Sequence, residues 1–431
     1  MSWVALLGIV IFFLGILVSV ALHEVGHLVP AKLFNVRVTQ WMVGFGPTIV
    51  SWRRGETEYG IKWLPFGGYN RMIGMLPPRP MEDEHHLRPT STGLFQGMIE
   101  SARGAVSEEI GPGDADRVFY RKPWWQKLII MLGGPAMNFV LAMILFGIVL
   151  MGFGVATPQP VVNAVPDCVI PITEQRSTCL ESDPPSPAAA AGFTPGDRIV
   201  SFNGEPVDSW DELTGLIRGA GGETVTVVIE RDGETVTLTP HLIATQRQST
   251  EDPDELVTVG YLGIEPVIEN ERHGLGVLMS SMWDFVKRTF DGLIHLPERM
   301  VDVWNAAFAG EERDLNSPVG IVGASRIGGE IADAPAPVSD RIAQFIMLLG
   351  SFNLAIGMFN LIPLLPLDGG HAAGAIWEGI RNGIARLLGR PQRYVDVAKA
   401  LPLAYGVMVL MILMGGLLVY ADLTNPVRLF D

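Results

Sequence analysis

Residues 23–27 read His-Glu-Val-Gly-His and close a run from Met1 that contains no charged residue. On a helix, positions i and i+4 share a face, so the imidazoles of His23 and His27 can bind one metal ion. Glu24 adjoins them, close enough to take a proton from a metal-bound water. Zinc lowers the pKa of such a water to about 7, which makes a hydroxide nucleophile accessible near neutrality. An ionisable group at bilayer depth costs about 2.5–3.5 kcal/mol on insertion scales. His23, Glu24 and His27 together therefore need a reason beyond capping a helix.

Two imidazoles leave zinc short of a third protein ligand. The candidate lies in FNLIPLLPLDGGH, residues 359–371. Pro363 and Pro366 interrupt a helix, and Gly369 and Gly370 let the backbone turn and approach closely. Irregular backbone at membrane depth is tolerated only where it is buried in protein or lines a wet cavity. Asp368, placed at the end of the third apolar stretch, is thus a carboxylate closing a broken helix, and His371 is its rival.

The elements that must position these groups are apolar helices. Hydrophobic residues make up 48% of the 431, and four stretches can cross a bilayer, which takes about 20 residues: 3–28, 128–153, 342–367 and 401–420. No Lys or Arg precedes Lys32, so the first reads as a retained span and not a signal peptide. Arg381, Arg386, Arg390, Arg393 and Lys399 make 374–400 a basic loop, cytoplasmic by the positive-inside rule. Counting spans then puts both termini outside, 31–123 inside and 158–340 outside. His23 lies about 30 Å along the helix from Trp3, near the cytoplasmic end. A net charge of −15, concentrated in the outer segment, argues against nucleic acid as a partner.

Between the spans, residues 36–72 alternate apolar and polar positions around glycines and read as short strands and hairpins. Residues 81–120 are polar, with His85 and His86 lacking partners at ligand spacing and an amphipathic helix expected over 91–109. Cys168 and Cys179, close in sequence and on the outer side, suggest a small disulfide-closed loop. Residues 274–310 place Trp283, Phe285, Phe290, Leu293 and Trp304 among charges, as amphipathic helices at the outer membrane surface would. AAAAGFTPGDRIVSFNGEPVDSW followed by ETVTVVIERDGETVTL resembles a PDZ domain of the bacterial protease type, whose sheet edge takes up chain ends or strands.

The pairing of His23-Glu24-Val25-Gly26-His27 with Asn360-Leu361-Ile362-Pro363 and Leu367-Asp368-Gly369 resembles the signature of the site-2 proteases, intramembrane zinc metalloproteases. GFGP (44–47), GGPAMNF (133–139) and RVFYRKPWWQK (117–127) strengthen the likeness. The resemblance implies Zn2+ on His23, His27 and Asp368, Glu24 as general base, and Asn360 with Pro363 positioning the substrate backbone. It implies a multi-pass α-helical membrane protein of about four transmembrane helices, with a cytoplasmic membrane-associated β-hairpin region and an extracytoplasmic α+β PDZ domain. The expected parts are helix 1 (1–30), the β-region and loop (31–123), helix 2 (124–155), PDZ domain (159–268), outer amphipathic helices and linker (273–340), helix 3 (341–373), basic loop (374–400) and helix 4 (401–421). The implied activity is cleavage of single-span membrane proteins in the cytoplasmic membrane, such as an anti-sigma factor or remnant signal peptides, after a site-1 cut. The alternative is a non-catalytic PDZ-bearing receptor or scaffold.

Overall fold

The computed structural model describes residues 2–77, 113–170, 178–248, 256–314, 317–391 and 393–427. His85, His86 and the 91–109 segment lie outside them. The chain divides into two compact units, Met1–Phe153 with Gly274–Asp431, and Gly154–His273.

The first unit is built on α1 (Trp3–Leu33), capped at its start by the Ser2 hydroxyl, which accepts from the Ala5 N–H. A single long hairpin follows, β1 (Val38–Arg54) and β2 (Thr57–Met72). It pairs antiparallel from Val38 opposite Met72 out to Arg54 opposite Thr57, with many register shifts between. Gly44 and Gly46 of the GFG stretch sit at φ +89° and +83°, backbone that side chains resist. Helix α2 (Trp124–Gly147) runs on through a π-helical turn to Phe153. Further helices occupy later segments of the unit: Leu275–Ile294, Leu296–Phe308, Ile321–Asp333, Val338–Asn360, Asp368–Leu387 and Leu401–Thr424. Among the described residues, four helices are long and apolar enough to cross a membrane: Trp3–Leu33, Trp124–Phe153, Val338–Asn360 and Val397–Thr424.

Two segments differ from the expectation. The third apolar helix stops at Asn360, and Asp368 opens the next helix where it was expected to end the span. The prolines at 363 and 366 stop the first helix, and an acid in the first turn suits the positive end of the second. Much of the expected loop 374–400 is therefore helical through Leu387. Ile376, Ile380, Ile384 and Leu387 recur at helical spacing and are exposed; the arginines between them masked that period. Within the expected linker, Ile321–Asp333 is a helix packed on α1. A Cβ on Gly328 would come 2.9 Å from Phe12, and one on Gly329 would come 2.7 Å from the Ala5 carbonyl. Small residues here allow close backbone approach, as in membrane helix pairs.

The second unit holds strands β3 (Val155–Ala164), β4 (Arg198–Phe202), β5 (Glu205–Pro206), β6 (Val227–Arg231), β7 (Glu234–Leu238) and β10 (Glu265–Glu271). They form an antiparallel sheet in the order β10-β3-β4-β6-β7, with β5 on β4, while β8 (Ile243–Gln248) and β9 (Leu256–Tyr261) pair separately. Helix Trp210–Gly219 starts where the Ser209 hydroxyl accepts from the Glu212 N–H. Its Leu213 and Ile217 join Phe202, Val227, Ile229 and Leu242 in one core. Cys168 and Cys179 are joined by a disulfide, Cα to Cα 5.9 Å.

The fully buried Asp197 accepts from the Arg231 guanidinium at 2.7 Å and from the Thr194 N–H at 2.8 Å. Burial opposes its ionisation, but these donors outweigh it and hold the carboxyl below its usual range. The ion pair therefore stabilises fully above the unfolded carboxyl range near about pH 3.9, and its contribution fades as pH falls towards the folded value. In hydrogen exchange on the full chain, Asp197→Asn is expected to lower protection of β4 and β6 at pH 6. It should also flatten the loss that the natural protein shows below about pH 4.

Candidate active site

Helix α1 presents His23, Glu24 and His27, all buried. Asp368 approaches them from the start of the helix Asp368–Leu387. Its Oδ2 lies 3.2 Å from Nε2 of His23 and 3.2 Å from Nε2 of His27, and the two Nε2 atoms are 3.3 Å apart. Three ligand atoms on one tetrahedral zinc, each at 2.0–2.2 Å, would be separated by about 3.3 Å. The donor set and its spacing fit that ion.

Proton placement points the same way. His27 Nδ1 is 2.7 Å from the Ile130 carbonyl, which can only accept, so Nδ1 carries the proton. Nε2 of a neutral His27 then directs a lone pair at Asp368 Oδ2, a buried oxygen without a well-formed hydrogen bond among the described residues. Two lone pairs facing each other repel unless a cation lies between them. A carbonyl fixing the far nitrogen of a ligating histidine is the usual supporting contact in metal sites.

Asp368 is placed by the turn that precedes it. A Cβ on Gly369 would strike the carbonyls of Leu361 and Ile362, and one on Gly370 would lie 2.5 Å from the Leu365 nitrogen. Only glycine lets the chain fold back this tightly. The helix beginning at Asp368 is pinned to α2 by a buried ion pair, Lys127 Nζ to Glu378 Oε1 at 2.7 Å. Asn360 is the last residue of its helix, and Pro363 stands exposed in the turn that follows. Both lie on the path into Asp368, outside the His23–His27–Asp368 cluster. His371 is not part of that cluster either.

Glu24 faces the hairpin. The Asn70 amide on β2 donates to a Glu24 carboxylate oxygen and to its backbone carbonyl, both at 2.7 Å. A Cβ on the neighbouring Gly68 would come 2.7 Å from Glu24 Cγ. The acid is thus held apart from the three clustered donors, as a base would be and a fourth ligand would not.

The profile of Peptidase family M50 matches residues 11–395. The chain belongs to this family, the site-2 proteases. It is accordingly a zinc-dependent metalloendopeptidase of the membrane, which leaves the receptor alternative without support. Relatives include Zinc metalloprotease Rip1 of Mycobacterium tuberculosis strain H37Rv, 34% identical over 98% of this chain and 99% of its own. The Rip1 of Mycolicibacterium smegmatis is 34% identical over 99% of both chains. Metalloprotease MmpA of Caulobacter vibrioides is 27% identical over 88% of this chain and 91% of its own.

Sequence reasoning missed two residues of this site-2 protease. Asn70 sits in a strand with no ligand-like spacing to announce it. Gly134 looked like a packing residue, yet a Cβ there would strike His27 Nε2 and lie 2.7 Å from His23 Nε2. Its hydrogen keeps open the space between the donors. Gly134→Ala is expected to weaken zinc binding by at least about 10–100-fold, the scale of changes next to metal ligands, with cleavage falling in step. Metal analysis of the purified protein checks this; natural zinc content in the variant would show that α2 does not wall the ion.

Proposed function

We propose that this protease cuts single-span membrane proteins inside the bilayer, as the second cut in regulated intramembrane proteolysis. The observation that carries the reading is the convergence of His23, His27 and Asp368 beside a separately held Glu24. These three residues would hold the zinc, which when bound supplies a hydroxide nucleophile near neutral pH. Glu24, fixed on one oxygen by Asn70, takes the proton and passes it to the leaving amide nitrogen. Asn360 and Pro363, in the approach to Asp368, position the substrate backbone.

A transmembrane helix hides each amide in its own hydrogen-bond ladder, so it must unwind before attack. The β1–β2 hairpin offers a strand edge to hold the unwound stretch. Gly68 and Asn70 bring that hairpin against Glu24, which supports presentation of the stretch to the base. The exposed Trp283, Phe290, Trp304 and Phe308 support a pair of helices lying on the outer bilayer surface.

The basic segment 374–400 supports a cytoplasmic-membrane protein with both termini outside and the hairpin inside. The unit Gly154–His273 would be an extracytoplasmic PDZ domain that meets the end left by a site-1 protease. An anti-sigma factor or a remnant signal peptide has the required form, one apolar helix shortened outside.

Glu24→Gln tests the chemistry. It should retain zinc and fold while cleavage of a tagged substrate helix falls by about 10²–10⁴-fold, the usual contribution of a positioned acid or base. Cleavage at the natural rate would remove Glu24 from the reaction.

A further inference from the structure

One helical turn from His23 on α1, three membrane helices meet around a group of buried polar side chains. Ser19 lies four residues before His23 on α1. Its hydroxyl donates to the Gly15 carbonyl and accepts from Asn353 Nδ2 at 3.0 Å. Asn353, on the helix Val338–Asn360, also donates to the Leu349 carbonyl at 2.8 Å. That carbonyl can only accept, which fixes the amide's orientation and leaves Oδ1 as a buried acceptor with no partner among the described residues. Gly357 follows one turn later, and a Cβ on it would lie 3.2 Å from Asn138 Cβ on α2. Asn138 is 1% exposed, and neither its oxygen nor its nitrogen has a partner among the described residues. Four residues before Asn138 comes Gly134, whose Cβ would reach His23 Nε2. Ser19 and Gly134 thus tie both asparagines' helices to the stretch of α1 that bears His23, whose Nδ1 is also buried and without a partner among the described residues.

The donors and acceptors left over at this junction are complementary. If His23 Nε2 binds zinc, Nδ1 must carry the proton and needs an acceptor. Ligating histidines nearly always have one, as His27 does in Ile130. Asn353 has spent its donors and keeps an oxygen, while Asn138 keeps both kinds of group. A buried water typically makes about three hydrogen bonds to groups otherwise unsatisfied. We propose that Asn138 and Asn353 hold one ordered water that accepts the Nδ1 proton of His23, making the two asparagines positioning residues for the metal ligand. That water accepts from His23 Nδ1–H and Asn138 Nδ2–H and donates to Asn353 Oδ1. The proposal rests on the zinc reading of His23, His27 and Asp368.

Zinc affinity, measured by chelator competition on the purified full-length protein, separates the two. His23→Ala should abolish tight binding; if it does not, the ligand set itself fails. Asn138→Leu and Asn353→Leu, which keep side-chain size and remove the polar atoms, should each weaken zinc by about 10–100-fold. Excess zinc should then restore their turnover, and the metal-free proteins should melt as the natural one does. Asn353→Asp, which keeps the acceptor oxygen, should bind zinc more tightly than Asn353→Leu. Natural zinc affinity in both leucine variants, with His23→Ala defective, overturns the water-mediated support. If one leucine variant does not fold, the other reads the same water from the opposite helix.

Discussion

Everything in the membrane unit answers to one constraint, that two imidazoles and a carboxylate direct lone pairs at a common point about 3.3 Å from one another inside a packed, apolar helix bundle. Each group alone is costly there. Together, without a cation, their lone pairs oppose one another. The Ile130 carbonyl accepts from Nδ1 of His27, so in the neutral ring it is Nε2 that faces Asp368 with a lone pair. A divalent ion held among the three accommodates all of them at once.

That demand explains the local architecture. Gly26 and Gly133 bring the backbones of α1 and α2 into contact, and Gly134 presents a bare Cα to the metal position. The proline-broken turn delivers Asp368, and Gly369 and Gly370 let that turn fold over its own carbonyls. Lys127 and Glu378 lock the following helix to α2. Buried ion pairs contribute little net stability but are costly to break by removing one partner, which suits a contact that fixes a helix in place. Below the site, Leu28, Val38, Met72, Phe119, Ile130 and Ala372 form one cluster that joins α1, the hairpin, α2 and the Asp368 helix. The hairpin is thereby rigidly tied to the helix that bears Glu24.

Much of this was legible in the chain. The spacing of His23 and His27 puts both rings on one helical face whatever surrounds them, and the run of apolar residues leaves few alternatives to a membrane helix. The prolines near Asp368 announced a break but not its direction, since a carboxylate can close one helix or open the next. Interleaved arginines hid the apolar stripe of Ile376, Ile380 and Ile384. Gly134, Asn70 and Asn353 could not be read as parts of a site, because what they do depends on residues 46 to more than 300 positions away. Long-range partners leave no local pattern.

Asp368 is the proposed ligand that comes from outside the His-Glu-Val-Gly-His motif, so it is the decisive place to look. Zinc X-ray absorption on the purified protein, with metal stoichiometry, should find one ion per chain bound by two imidazole nitrogens and oxygen at about 2.0–2.2 Å, and Asp368→Ala should lose that ion. A full complement of zinc in Asp368→Ala, with an unchanged spectrum, would mean that the two helices do not share a metal.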